Sequence, residues 1–226
     1  MLVNIKHILG EAELNKVQQL LKNAAFRDGK LSAGMAAQQV KNNQEVADDK
    51  VISSLNNIVM NNVVRHPDYQ QAALPHRIAA PFYARYENGM EYGEHIDDPI
   101  MGVASSLGDR YRSDLAMTIF LNPPEEYQGG ELIIQSSYGE QSIKLNAGDA
   151  VLYPATTRHR VAAVTSGQRL VAVTWIQSLI RDNEKRELLY QLSKTREKML
   201  RKDPDSEDTK RIDNTYVNLV RMWSEV

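Results

Sequence analysis

The chain of 226 residues carries 27 Lys and Arg against 29 Asp and Glu, a formal net charge of −2, and 42% of it is apolar. That composition suits a globular core of substantial size and gives no global basic field with which to hold nucleic acid or an anionic membrane. Cysteine is absent, which removes disulfides, thiolate zinc sites, iron–sulfur clusters and a thiol nucleophile together, and makes the reducing cytoplasm the simplest compartment.

The opening MLVNIKHILGEAELNK has no continuous apolar export segment, and no window approaches about 18 apolar residues, so neither export nor membrane spanning is expected. From Glu11 to Ala25, the residues Leu14, Val17, Leu20, Leu21 and Ala24 recur at helical spacing and predict an amphipathic helix that covers a sheet. The stretch DGKLSAGMAAQQVKNNQ is polar and glycine-bearing and reads as a loop or a short edge hairpin. A second helix is expected over about 45–64, with Val51, Leu55, Ile58, Val59 and Val63 on one stripe, stopped by His66-Pro67.

Beyond Leu74 short β-rich runs appear near 78–86, 92–97, 114–121, 131–135, 142–145, 150–153, 159–164 and 169–177, separated by turns such as NPPEEYQGG and NAGD. Strands this closely spaced leave no room for the crossover helices of a parallel sheet, so a mainly β fold, a sandwich or jelly roll, is expected. After Ser178 the pattern returns to helix: Glu184 to Arg201 carries Leu188, Leu192 and Met199, DPDSED breaks it, and Ile212, Tyr216, Leu219, Val220 and Trp223 form a second stripe. The chain therefore divides into an N-terminal helical support region (1–77), a β domain (78–178) and a C-terminal helical extension (179–226). That extension is expected to pack on the barrel or on a second copy in a homodimer.

The segment EYGEHIDDP, Glu91 to Pro99, holds His95 and Asp97 two positions apart in a chain with five histidines. On an extended strand, residues i and i+2 project from one face, so this imidazole and carboxylate are expected to point together. They make two-thirds of a facial metal site, and the later histidine that can complete it is His159, in YPATTRHRVAAV. Two histidines and a carboxylate that leave open positions are the ligand set of non-haem Fe(II) oxygenases; zinc also binds such groups, although closed structural zinc wants a fourth protein ligand. Glu91, Glu94 and Asp98 are not expected to ligate.

Arg169 follows His159 by ten residues, with VTSGQ between them. A hairpin looped over 164–168 would pair Ala163 with Arg169 and put residues 159, 161, 163, 169, 171, 173 and 175 on one face. That register sets Arg169 roughly 13 Å along the strand axis from His159, at about 3.3 Å per residue. A short dicarboxylate nearly spans the gap, its 2-oxo-acid end on the metal and its far carboxylate in a bidentate fork with the arginine.

The order His95-x-Asp97, His159, Arg169, together with RYENGMEYGEHID, GGEL, GDAVLYP and VTSGQR, resembles the prolyl 4-hydroxylase-like Fe(II)/2-oxoglutarate dioxygenases. With QVKNNQ near the start and WIQSLIRD after the last strand, the chain is most similar to the bacterial PKHD-type hydroxylases associated with iron uptake, over nearly its whole length. The resemblance implies a double-stranded β-helix (jelly-roll) core with N-terminal helices packed on the sheet and a C-terminal helical extension. It implies Fe(II) held by His95, Asp97 and His159, 2-oxoglutarate anchored by Arg169, consumption of O2, release of succinate and CO2, and L-ascorbate as reductant. The hydroxylated substrate would be a peptide or protein residue, or a siderophore-like small molecule. Many collagen-type members carry lysine where Arg169 stands, which argues against collagen-like substrates. A non-catalytic iron- or 2-oxoglutarate-sensing jelly-roll protein would show the same ligands, whereas a cupin-like enzyme without a co-substrate would leave Arg169 without a role.

Tyr86 and Tyr92 precede the metal pair where the resembling family has aromatic residues, one of which hydrogen-bonds the co-substrate. Tyr86 is the candidate, weighed against the ordinary reading of both as barrel aromatics with a polar tip. Tyr153 is open between the same readings, and Trp175 is expected as pocket wall or core filler. Gly129 and Gly130 read as turn or bulge positions without a chemical role. Arg85 and Arg112 are candidates for the mouth of the site, against the usual fate of a solvated charge. His7, His66 and His76 read as surface or structural residues, with a mutual approach of His66 and His76 as a minor alternative.

Overall fold

The computed structural model describes residues 1–102 and 110–225; Val226, the last residue of the predicted extension, lies outside them. In chain order the N-terminal part runs β1 (Val3–Ile5), α1 (Glu11–Lys22), β2 (Phe26–Asp28), α2 (Met35–Gln38), β3 (Lys41–Asn42), β4 (Gln44–Val46), α3 (Asp49–Arg65), α4 (Pro67–Ala73) and β5 (Pro75–Ile78). The central part runs β6 (Phe82–Tyr86), β7 (Glu91–His95), β8 (Ile100–Met101), β9 (Tyr111–Arg112), β10 (Leu115–Phe120), β11 (Tyr127–Gly129) and β12 (Leu132–Ser136). It continues with β13 (Gly139–Ile143), β14 (Ala150–Pro154), β15 (His159–Val161), β16 (Val164–Gly167) and β17 (Arg169–Ser178), before α5 (Asn183–Lys202) and α6 (Glu207–Trp223).

Two sheets enclose the site. The eight-stranded major sheet has the order β1-β14-β10-β17-β6-β4-β2, with β5 also on β17, and the five-stranded minor sheet the order β13-β12-β15-β7-β3. The pairings are antiparallel. The mainly β jelly-roll expectation holds, with helices flanking it.

Strict alternation along the major strands separates two interiors. On β10, Leu115, Met117 and Ile119 face a core shared with Val17 and Leu21 of α1 and Leu55, Val59 and Val63 of α3. Ala116 and Phe120 instead face the barrel, with Tyr86, Val151, Tyr153 and Val171, and meet Leu132, Ile134 and Val161 of the minor sheet there. The helices stabilise one face while the other is left to form a cavity.

Several boundaries differ from the sequence reading. The second helix begins at Asp49, capped by the Asp48 carboxylate, which accepts from the amides of Lys50 and Val51. Glu45 and Val46, read as its start, lie in β4, paired with β2 and β6. Pro67 does end α3, but it also opens α4 at a position where its missing N–H costs nothing. The N-terminal stretch is thus more than helical support, since it adds strands to both sheets. The run at 78–86 divides into β5 and β6, and the run at 92–97 ends its strand at His95.

The assumed hairpin from His159 to Arg169 is not formed. Val164–Gly167 is itself a strand paired with β11, so β15 stays in the minor sheet and β17 lies in the major one. Gly129 makes this crossing possible: its φ is +72°, and a Cβ there would come within 2.1 Å of the Ala163 carbonyl oxygen. Gly129 sits at a β-bulge, as expected, and Gly130 follows it with φ also positive, at +68°.

Asp114 ties β9 to the end of β17, where the chain leaves the barrel for the C-terminal helices. Asp114 accepts from Arg112 Nε at 2.6 Å and from the Ser178 amide at 2.8 Å. Buried Arg186 of α5 donates to the Ile180 carbonyl and to Asn183 Oδ1. Arg112 is therefore committed to the scaffold.

Leu55 has no exposed surface at the centre of the helix-side core. Leu55→Ala is expected to lower stability by about 2–5 kcal/mol in urea unfolding through lost transfer energy and a residual cavity.

Candidate active site

β7 and β15 are neighbours in the minor sheet, and His95 pairs directly with His159. Residues opposite one another on antiparallel strands share a face, so the imidazole centroids stand 4.3 Å apart. Between these histidines and the Val161↔Tyr92 pair, β7 carries one extra residue. That bulge re-phases the strand, so that Tyr92, three positions before His95, comes to the same face. Its ring stacks on His95 at 3.8 Å.

Asp97 lies past the end of β7. Its Oδ1 nonetheless stands 3.9 Å from His95 Nε2 and 3.8 Å from His159 Nε2. The ligand atoms of His95, Asp97 and His159 all fall within 4.8 Å of one another, which makes the trio the candidate metal cluster among the described residues. The predicted trio is thus brought together, although Asp97 reaches it from the irregular segment beyond the strand.

Both histidines are oriented by backbone. His95 Nδ1 lies 2.8 Å from the Gly93 carbonyl and His159 Nδ1 lies 2.9 Å from the Thr157 carbonyl. A carbonyl only accepts, so each Nδ1 carries hydrogen and each Nε2 lone pair is turned toward Asp97. Burial, reinforced by His159, pushes the His95 imidazole down to about 4, which keeps it neutral at neutral pH. Burial raises the Asp97 carboxyl above its ordinary range, against the pull of His159. Asp97 Oδ2 is buried without a hydrogen-bond partner, and so is the indole N–H of Trp175 beside it. Two Nε2 atoms converging on a carboxylate with an unpaired oxygen fit a divalent cation.

Arg169 begins β17, opposite Tyr86 of β6. Only 1% of it is exposed, it has no carboxylate partner among the described residues, and its Nε and Nη1 lack acceptors. Its guanidinium lies 4.9 Å over the Tyr86 ring and 5.7 Å from that of Phe120. The Tyr86 and Tyr127 phenols lie beside it, both held protonated by burial. Gly130 leaves room: a Cβ there would meet Arg169 Cδ at 3.0 Å. A buried, acceptor-starved cation fits the far carboxylate of a dicarboxylate ligand.

The metal trio and Arg169 line one cavity of about 780 Å³, a size that accepts a small-molecule ligand. Tyr86, Tyr92, Tyr153 and Trp175 also line it, with Phe82 edge-on to Trp175 at 5.8 Å. Its outer wall was not legible in sequence. Ser32, Lys41 and Asn43 contribute to it from the stretch read as a loop or edge hairpin, and Glu45 from what reads in sequence as the start of the second helix. Tyr127 was read as part of a turn. Polar residues in a glycine-bearing segment look like surface, and only the pairing of β3 with β7 and β4 with β6 turns them inward.

Other candidates lie elsewhere. Arg85 donates to Gln44 Oε1 and sits 4.0 Å over the Phe26 ring, away from the cavity lining. Glu94 faces outward in an ion pair with Arg158 at 3.0 Å. His66 Nε2 meets the Lys6 carbonyl, so His66 and His76 form no pair.

Comparison with known proteins agrees with this site. The pattern of the 2OG-Fe(II) oxygenase superfamily matches residues 81–177, and that of the PKHD-type hydroxylase C-terminal domain matches residues 183–225. The chain is 45% identical to a PKHD-type hydroxylase of Thioalkalivibrio sulfidiphilus, 41% to one of Synechococcus elongatus and 37% to one of Acinetobacter baumannii, each over 100% of both chains. Among solved structures, a 2OG-Fe(II) oxygenase family oxidoreductase from Burkholderia pseudomallei aligns with TM-score 0.56 at 15% identity, covering 80% of this chain and 86% of that one. A Trichoplax adhaerens prolyl hydroxylase, solved with a hypoxia inducible factor peptide fragment, aligns with TM-score 0.53 at 17% identity, covering 83% and 86%. Likeness at these identities shows the shared fold.

Asp97→Ala is expected to abolish Mn(II) binding in calorimetry, because it removes the sole carboxylate of the trio. Glu94→Ala, three positions earlier and turned outward, is expected to leave binding within twofold; equal loss in both variants would overturn the ligand assignment.

Proposed function

This chain belongs to the PKHD-type hydroxylases of the 2OG-Fe(II) oxygenase superfamily, and from that membership we propose that His95, Asp97 and His159 hold Fe(II) while Arg169 anchors 2-oxoglutarate. The observation that carries the reading is the buried, acceptor-starved guanidinium of Arg169 in one cavity with three convergent ligand atoms. Fe(II), 2-oxoglutarate and O2 together supply the chemistry: 2-oxoglutarate becomes succinate and CO2 while one oxygen atom enters a substrate C–H bond.

The chain's own residues bind, orient and exclude. His95 and His159 present oriented Nε2 atoms that, with Asp97, would hold the metal, and three protein ligands would leave it room for the co-substrate. Tyr92 covers one face of His95, and Tyr153 meets His159 edge-on at 5.2 Å, so the ligand set is shielded from bulk water. Arg169 forks the distal carboxylate of 2-oxoglutarate, and the protonated phenols of Tyr86 and Tyr127 stand ready to donate to the same group. Holding both ends of the co-substrate fixes its chelating end against the metal.

The substrate is a small molecule or a peptide or protein residue. L-ascorbate is proposed as the reductant that returns the iron to the ferrous state, and the reducing cytoplasm as the working compartment. No helix among the described residues is long and apolar enough to cross a membrane. The catalytic module is assigned to 78–178 and the helical extension to 179–226. Leu188, Val217 and Met222 leave apolar surface exposed on α5 and α6, and a homodimer through this face is proposed; sedimentation velocity at micromolar concentration is expected to give a dimer, and a monomer would remove the idea.

Adding Fe(II) and 2-oxoglutarate without oxygen is expected to give the visible charge-transfer band of a chelated 2-oxo acid, which bleaches on admitting O2 as succinate forms. Arg169→Ala is expected to keep metal binding and to weaken 2-oxoglutarate at least tenfold, about 1.4 kcal/mol or more. Unchanged co-substrate affinity in that variant would refute the anchor, and a band without succinate would point to a sensor.

A further inference from the structure

We propose that Glu45 forms a subsite for a cationic end of the substrate, a protonated amine or guanidinium, in the cavity that holds the metal trio; this rests on the function assigned above. Register places the carboxylate. Glu45 pairs with Ala84, and Ala84 with Val171, so these three make one row across β4, β6 and β17, next to the row of Tyr86 and Arg169. Gln44 turns outward to Arg85 at 2.9 Å, and alternation then sends Glu45 inward. Ala84 between them is too small to cover it.

Glu45 is only 4% exposed and lines the cavity. Its two oxygens are in different situations. Oε1 accepts from Lys41 Nζ at 2.6 Å and from Ser32 Oγ at 2.9 Å, while Oε2 is buried with no hydrogen-bond partner. Asn43 Oδ1 on the same wall is likewise unpartnered. Lys41 is already satisfied: its ammonium also meets Ser32 Oγ at 2.9 Å and lies 5.5 Å over the Tyr92 ring. This wall therefore has acceptors in excess and is short of donors, and a carboxylate can hold a separate cation on each oxygen.

The approach has matching chemistry. Asp98 lines the mouth as a second negative charge, and Phe82, Ile96 and Ile100 are apolar, partly exposed and line the same opening. Such a rim takes the methylene stem of a long cationic group while the charged head passes inward. A lysine-like side chain of a peptide and a free alkylamine share this chemistry.

Titration of Zn(II)-loaded protein with 2-oxoglutarate, and then with n-butylammonium, 1-pentanol and a capped Ala-Lys-Ala peptide, followed by calorimetry, tests the subsite. The wild type is expected to prefer butylammonium over 1-pentanol at least tenfold, and Glu45→Gln to lose that preference with 2-oxoglutarate binding and melting temperature retained. Tighter binding of the peptide than of butylammonium supports the subsite with a peptide as source, and no gain over butylammonium supports it with a free amine. Lys41→Met, which removes the cation paired with Glu45 Oε1 and leaves the Ser32 hydroxyl on it, is expected to tighten butylammonium; weaker binding there counts against the subsite. Equal wild-type affinity for ammonium and alcohol with 2-oxoglutarate bound overturns the subsite and leaves the enzyme reading intact, whereas absent 2-oxoglutarate binding overturns both.

Discussion

The site depends on one cross-strand register, His95 opposite His159. A slip of one residue between β7 and β15 would turn one imidazole to the outer face of the minor sheet and break up the cluster of three convergent candidate ligand atoms. The register is held from both sides, because β15 also pairs with β12, where Ile134 faces His159, and β7 pairs with β3, where Lys41 faces Tyr92. The bulge in β7 adds what regular pleating cannot: two residues of odd separation, Tyr92 and His95, on one face, with the ring of one stacked on the ring of the other.

Around that register the protein keeps polar groups unsatisfied. Arg169 Nε and Nη1, Asp97 Oδ2, Glu45 Oε2 and Trp175 Nε1 are all buried without partners. Orphaned polar groups of this kind each cost on the order of 1–3 kcal/mol, more when charged, and the cost is tolerable because stability is generated elsewhere. The helix-side core of α1, α3 and the outer face of the major sheet is mainly aliphatic, with Leu55, Val59, Val63, Met117 and Ile119 fully buried. Alternation along the same strands thus lets one face supply packing and the other supply chemistry.

Crossing between the two sheets is the second architectural decision. Arg169 reaches the cavity because the chain leaves the minor sheet after β15, pairs briefly as β16 with β11, and enters the major sheet at Arg169 itself. Gly129 and Gly167, at φ +72° and +74°, allow the close backbone approach on which that passage relies. The cation then faces the trio from the other sheet rather than from farther along one ladder.

The sequence alone determined the ligand types, the apolar stripes of α1 and α3, the β character of the centre and the helical tail, because each is carried by residue chemistry or by periodicity within a few residues. The four residues it singled out, His95, Asp97, His159 and Arg169, line one cavity. Tertiary structure alone decided that β15 and β17 belong to different sheets, that Asp97 acts from beyond its strand, and that Glu45 belongs to a strand and not to the start of a helix. It also decided that Lys41, Glu45 and Tyr127 line or adjoin the site. The physical reason is range: a polar residue in an edge strand faces water or a cavity according to which distant strand it pairs with, and that pairing leaves no trace in the local pattern.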